Sequence, residues 1–573
     1  MRKLLYSFII FIVSFGIFFI TIFLIFQPIF KAQHLIFPYA IHPFDIVSVY
    51  PDTWIFIKKS YLISIFFTYC ILFLKLLSKI DIYKISKKKQ NLKPLNQQDL
   101  SLLVGISNSI PIYINEKGLY QNILITGTIG TGKTSSAMYP FTDQLIKYKS
   151  FNYKEKLAML ILDVKGNYFA KVLEFAKIHS RLNDVISIDL SGKFKYNPLD
   201  KPNLTPIVLA NRLKTILTLF NPNNSESYWL DKAEQILAEC IKFCRLYNNG
   251  YVSFSELHKI LMFPDYYSEK ILILKEMFKQ GKLDNSEIYN LLSCINFFEK
   301  EFFSLDSRTI SILKSEISRI TNIFISDYNV SKVFCPPKSE INFFGFDDIL
   351  RSGKIVVLNM NISEYRNLSK IIATYLKLDF QTTVLSQLGN NTIKRSSVFI
   401  SDEFQEYITI TDADFFSQSR EAKCVNIVST QSYSSLKNAL KDDGATKVIL
   451  QNLINKFWFR TDDSFTIEEA QKQIGKEEKE KISTTISENA KETKLNFITN
   501  TLMSKDSNLS ESYNKYTQND YIYDTNYFSQ SLETFKSLAF ISDGMKILKP
   551  QELQMIPYYE KEKIMKGLNL NEK

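Results

Sequence analysis

The sequence predicts an α/β fold: a largely parallel sheet that binds nucleotide, interrupted by a helical domain and preceded by a two-helix membrane anchor. Three observations predict it. The stretch Gly127-Thr-Ile-Gly-Thr-Gly-Lys-Thr134 has the spacing of a phosphate-binding loop and directly follows the apolar run Ile123–Thr126. Short β-rich runs alternate with helical stretches along much of the chain. An uncharged apolar run of 23 residues, Leu4 to Phe26, is long enough to cross a bilayer, which needs roughly 20 helical residues.

The loop comes first because its chemistry is the most specific. Gly127, Gly130 and Gly132 allow backbone conformations closed to other residues, so that successive amide hydrogens converge on one anion. The helix that follows adds its positive N-terminal end. Thr128, Thr131 and Ser135 complete the nucleotide-binding stretch. Lys133 is expected to reach the β- and γ-phosphates, and the Thr134 hydroxyl to hold Mg²⁺. An ordinary strand-to-helix turn is the alternative, and a full match ending in Lys-Thr after an apolar strand disfavours it.

A second apolar run, Ser60 to Leu77, has only Lys75 near its end and is expected to be a second membrane helix rather than a buried soluble one. Arg2 and Lys3 precede the first span, and seven lysines from Lys75 to Lys93 cluster at or after the second. That excess places both termini in the cytoplasm with a short loop outside. The domain reading is a membrane anchor over 1–90, with spans at about 4–26 and 60–77. A first part of the nucleotide-binding domain over 91–203 follows, then an inserted all-α domain over 204–341. The second part occupies 342–573 and includes a polar excursion over about 475–527, either flexible or an exposed hairpin.

Composition bounds the rest. The chain has 573 residues, 45% hydrophobic and 23% charged, with a net charge of +11 that permits contact with nucleic acid or anionic lipid without proving either. The six cysteines are scattered, and Cys240 and Cys244 lie at helical spacing that suits core packing. The four histidines form no cluster, so neither a disulfide framework nor a zinc site is expected.

Apolar runs ending at Asp163, Asp189, Met360, Ser401, Ser429 and Ile541 are the expected strands. Ligands bind such sheets at the carboxyl ends of the strands. Val398-Phe-Ile-Ser-Asp402-Glu403 is therefore the second half of the site. Asp402 is expected to bind the water shell of Mg²⁺, and Glu403 to activate the attacking water. No Leu-Ser-Gly-Gly-Gln run is present, which disfavours a transporter-type ATPase, and no Asn-Lys-x-Asp motif, which disfavours a GTPase, so ATP is the expected nucleotide. Arg420 suits a cation supplied to a neighbouring subunit's γ-phosphate, and equally a surface charge. Gln431 ends the next strand, as a γ-phosphate sensor or as a strand-end amide.

The assembled pattern resembles the coupling proteins of type IV secretion and conjugation, the TraG/TraD family. Carrying the resemblance are the two spans, Met138-Tyr-Pro-Phe141 in the P-loop helix, Leu162-Asp-Val-Lys-Gly166, Tyr196-Asn-Pro-Leu199 and Trp229 near the start of the insertion. Asp402-Glu403, Arg420, Gln431 and Asn455-Lys-Phe-Trp-Phe-Arg460 follow in order. The resemblance implies a RecA-like P-loop NTPase domain in a homo-hexamer at the bacterial inner membrane. It implies ATP and Mg²⁺ as cofactors, and the channel components of a type IV secretion system as partners. Relaxase-bound single-stranded DNA, effector proteins or both are the implied substrates. Catalytic roles follow for Glu403, for Arg420 as a trans arginine finger and for Gln431 as the polar sensor. A nucleotide-binding docking receptor and a DNA motor of the FtsK/HerA type are the alternatives. The segment after Gly166 departs from the pattern, with Asn167 where many members have Glu.

Overall fold

In the computed structural model the described residues are 99–163, 165–219, 227–388, 395–488, 493–496, 501–504 and 509–560, with single positions at Lys59, Ile63 and Phe67. The predicted spans lie outside them, Ile63 and Phe67 apart. Among the described residues no helix is long and apolar enough to cross a membrane. The unit that begins at Leu100 is the one described below.

Its centre is an eleven-stranded sheet. The strands are β1 (Ser101–Ser107), β2 (Ile110–Asn115), β3 (Ile123–Thr126), β4 (Ala158–Leu162), β5 (Val185–Ile188), β6 (Ile355–Leu358), β7 (Ser397–Ser401), β8 (Cys424–Thr430) and β9 (Asn455–Trp458). Two two-stranded ribbons follow, one of β10 (Lys476–Glu488) with β13 (Leu509–Tyr521) and one of β11 (Thr493–Asn496) with β12 (Thr501–Ser504). Then β14 (Lys536–Phe540) and β15 (Gln551–Gln554) return to the sheet. The order is β2-β1-β15-β14-β9-β3-β8-β7-β4-β6-β5. From β9 to β5 every pairing is parallel.

The parallel strands are apolar almost throughout because both sides of the sheet are covered. β3, β4, β6, β7 and β8 are buried at every position. Alternate residues supply two cores, Leu124, Leu160 and Phe399 on one side and Ile125, Ile161 and Ile400 on the other. The Leu538 run, expected to continue the parallel series, is instead antiparallel to β9, with Leu538 opposite Trp458. The chain re-enters at the end of the sheet where β9 stopped, so no crossover is made.

Helix α1 (Tyr139–Lys147) follows the phosphate loop through one wide turn, Thr134–Met138, in which the Tyr139 N–H donates to Thr134 O. The shift from α to π pairing falls just before Pro140, which has no N–H to give, and so accommodates a proline in this helix. Helix α2 (Tyr168–Ile178) follows β4.

Between β5 and β6 the main elements are helices: α3 (Pro206–Thr218), α4 (Ser227–Tyr247), α5 (Phe254–Met262), α6 (Pro264–Lys279), α7 (Asn285–Ile295), α8 (Ser307–Ile325) and α9 (Tyr328–Phe334). Several start where the sequence places a cap. Ser253, Asp284, Asp306 and Asp327 each accept from a backbone N–H three residues on, and Asp284 with Glu287 forms a full capping box. Cys240 and Cys244 are buried on α4 as core residues.

The insertion shares one apolar core with the sheet and is also fastened by a buried charge cluster. Asp379, on α10 (Ile362–Ser386), accepts from Lys201 at 2.7 Å, Arg212 at 2.9 Å and the Tyr196 hydroxyl at 2.9 Å. The Tyr196–Leu199 motif supplies further ties: the Asn197 amide donates to Val252 O and the Tyr375 hydroxyl to Pro198 O. Burial alone would raise the Asp379 pKa, but Lys201 and Arg212 hold it below the usual aspartate range. Asp379→Ala is expected to destabilise the chain by about 3–5 kcal/mol, because two cations are left buried without their partner. Thermal melting checks it. The native contribution of Asp379 is whole above the ordinary aspartate pKa of about 3.9 and is lost only as pH falls through the lowered native value.

The polar excursion is a hairpin. β10 and β13 pair antiparallel from Lys476↔Tyr521 to Glu488↔Leu509.

Candidate nucleotide-binding site

The carboxyl ends of β3, β4, β7 and β8 bring the predicted residues together, Arg420 excepted. β3 ends at Thr126, and the loop from Gly127 to Lys133 leaves it. Gly130 and Gly132 have φ of +80° and +94°, so both need glycine. A Cβ on Gly132 would also sit 2.4 Å from the Phe535 ring. The loop is clamped from outside by the Thr128 N–H on Arg460 O at 2.9 Å and the Phe535 N–H on Thr131 O at 3.1 Å. The Thr131 hydroxyl donates to Thr128 O, and the Ser135 hydroxyl to Gly132 O.

The Lys133 ammonium folds into the loop and donates to Gly127 O and Thr128 O. Burial lowers its pKa, against the opposing pull of the Glu403 and Asp402 charges. The Thr134 hydroxyl, just after the loop that leaves β3, donates to Asp402 Oδ2, just past β7, at 3.1 Å, although β8 separates the two strands. Asp402 is buried, its other oxygen accepts from the Ser429 hydroxyl, and burial raises its pKa. Among the described residues no cation pairs directly with it, and no cluster of three or more His, Cys, Asp or Glu could hold a metal unaided. A divalent cation held by Thr134 and Asp402 would draw its remaining ligands from phosphate and water, which is how Mg²⁺ is ordinarily bound. The donor set therefore fits a nucleotide with Mg²⁺.

Glu403 directly follows Asp402 in a left-handed turn, φ +50°. The turn carries its side chain toward Lys133 and Lys165. One carboxylate oxygen accepts from Lys165 at 3.2 Å and the other from Gln405 at 2.8 Å. Burial would raise the Glu403 pKa, but the Gln405 hydrogen bond and the charges of Lys165 and Lys133 bring it below the usual glutamate range.

Gln431 lies just past β8, half-buried, at the same end of the sheet as the loop. Arg420 does not join it. It lies on the surface in the turn before β8, at the opposite end of that strand. Seven residues of strand separate it from this end by about 20 Å. Arg420 cannot serve its own protomer's loop. Its turn is rigid: Asn122, Ser419 and Asn426 form a buried network there, with Asn426 donating to Asn122 Oδ1 at 2.6 Å and to Ser419 Oγ at 2.9 Å. Asn122 also holds Phe416 O, at the end of α11 (Asp412–Gln418).

Lys165, Gln405, Ser429 and Phe535 also border the site and were given no role from sequence. Lys165 stands in the quoted Asp163-Val-Lys-Gly166 motif, and Gln405 lies two residues after Glu403, so proximity in sequence was the available signal. Phe535 lies more than 400 residues from the loop it clamps, and nothing local marks it.

Residues 397–522, from β7 to the foot of the ribbon, match the family described as the TraM recognition site of TraD and TraG. Among solved structures, the bacterial conjugative coupling protein TrwBdeltaN70 in its unbound monoclinic form is similar with a TM-score of 0.51 at 11% identity, over 81% of this chain and 95% of that one. The plasmid coupling protein TrwB in complex with ADP and Mg²⁺ is similar at 0.50 and 11%, over 82% and 96%. TrwB with the non-hydrolysable ATP analogue ADPNP is similar at 0.50 and 12%, over 81% and 96%. No curated protein matches the chain. The match over 397–522 and the fold shared with TrwB make the chain similar to the TraG/TraD coupling proteins in that segment and in architecture.

Proposed function

We propose that the chain is an ATPase coupling protein of the bacterial inner membrane, multi-pass with both termini in the cytoplasm. It recruits a relaxase-bound single-stranded DNA, an effector protein or both, and delivers it to a type IV secretion channel. One observation carries this reading: the phosphate loop, Asp402 and Glu403 converge at one end of the sheet, in a chain with the fold of a conjugative coupling protein solved with ADP and Mg²⁺.

ATP bound here supplies the phosphoryl group whose hydrolysis drives transfer, and Mg²⁺ screens its charge. The loop amides and Lys133 hold the β- and γ-phosphates. Thr134 and Asp402 hold the cation. Glu403 orients and deprotonates the attacking water. Gln431, at the end of the neighbouring strand, senses the γ-phosphate. Arg420 belongs to the site of the next protomer in a hexamer, which its place on the far end of β8 supports. The matched segment 397–522 carries a contact to a TraM-like partner, as its family description suggests.

The test is transfer in cells carrying Lys133→Ala in the full chain. Loss of DNA or effector delivery is expected. Delivery at the level of the unchanged protein would contradict the reading.

A further inference from the structure

Phe535 stands in a backbone conformation that its side chain disfavours, φ +63°. Strain of this kind in a bulky residue gathers where binding needs a side chain in one place. Two backbone hydrogen bonds impose it. The Phe535 N–H donates to Thr131 O in the phosphate loop at 3.1 Å, and Phe535 O accepts from the Met555 N–H at 2.7 Å. The first ties the residue to the loop, and the second continues the ladder of β14 and β15. One edge of the ring is thereby set on Gly132, where a Cβ would meet Cδ1 at 2.4 Å and Cε1 at 2.6 Å.

Strand order says which end of a nucleotide comes to this ring. Thr134 and Asp402 meet on the β7 side of the loop, and Glu403 follows Asp402. A γ-phosphate faces those carboxylates, so the nucleoside leaves over the other flank of the loop. That flank is β9 and β14. β14 runs antiparallel to β9, so its start lies at the carboxyl end of β9, level with the loop. Phe535 directly precedes β14. Its side chain is half-buried and packs in part on the core that holds Ile125 and Phe457. Tyr558 also reaches the loop, its N–H donating to Ser135 O at 3.0 Å. The Tyr558 ring is engaged, edge-on to Tyr139 at 5.5 Å and beside the Lys171 ammonium at 4.6 Å. Phe535 has no ring or cation partner among the described residues.

We propose that Phe535 is the base-stacking residue of the nucleotide site, taking the purine of the bound nucleotide on its ring while its backbone holds the loop. The proposal rests on the ATPase reading above. A phenyl ring offers a base a π-face and no hydrogen bond, so it adds affinity for the purine and leaves the purine's edge unread.

The experiment is equilibrium binding of ADP and of inorganic pyrophosphate, which has the phosphates without the base, to the full chain with Mg²⁺. Phe535→Leu is expected to weaken ADP binding roughly five- to hundredfold, the loss of one base–aromatic stack, and to leave pyrophosphate within about twofold. Phe535→Tyr should bind both as the unchanged chain does. Equal weakening of the two ligands in Phe535→Leu, or unweakened ADP, overturns the stacking and leaves Phe535 as a clamp on the loop. Lys133→Ala is the control and should weaken both ligands. An unchanged chain that binds neither, or a Lys133→Ala chain that binds both as well, overturns the nucleotide reading, and the stacking with it.

Discussion

Glu403→Gln is expected to lose ATP hydrolysis by a factor on the order of 10²–10⁴ while binding nucleotide as the unchanged chain does. The size follows from the site. In the proposed site Lys133 and the loop amides hold the phosphates and Thr134 and Asp402 the cation, and the contacts that place Lys133 and Thr134 do not include Glu403. Gln405 can still bond the substituted amide, so the turn at φ +50° keeps a partner. What is lost is the proton acceptor. Single-turnover hydrolysis beside equilibrium nucleotide binding checks it, and weakened binding to the same degree would count against the assignment. Substrate delivery in the same variant separates a motor from a docking receptor, because a receptor would still deliver.

Arg420→Ala is expected to lower kcat on the order of 10³-fold or more, and to do so through the neighbouring subunit. Placed about 20 Å along β8 from its own loop, the guanidinium has no path to that phosphate. It is nonetheless displayed on a turn held by the buried Asn122, Ser419 and Asn426 network. An exposed side chain on a turn anchored in this way is suited to reaching another copy. Arg420→Ala mixed with Lys133→Ala is therefore expected to regain hydrolysis, since some interfaces combine an intact arginine with an intact loop. Mixtures no more active than the separate variants would assign Arg420 to the surface.

Much of this was legible before any coordinates, for reasons particular to each part. The parallel strands read as unbroken apolar runs because both sides of the sheet are covered, and Ile123–Thr126 and Val398–Ser401 stand out accordingly. The phosphate loop and Asp402-Glu403 read clearly because their chemistry depends on neighbours in sequence. The outer strands β1, β2 and β15 gave no such signal; β2 is half exposed along its length and carries Pro111. The direction of β14 depends on where the chain re-enters the sheet, which no local pattern encodes. Lys165 escaped assignment because its partner, Glu403, lies 238 residues away. Arg420 was legible as a residue type in a place, while its separation from its own loop needed the strand order.

The most direct measurement is steady-state hydrolysis of Mg-ATP by the full-length protein and by its Lys133→Ala variant. If the loop, Asp402 and Glu403 form a hydrolytic site, removing the ammonium should lower the rate on the order of 10²–10³-fold. A variant within twofold of the unchanged protein would contradict the site itself.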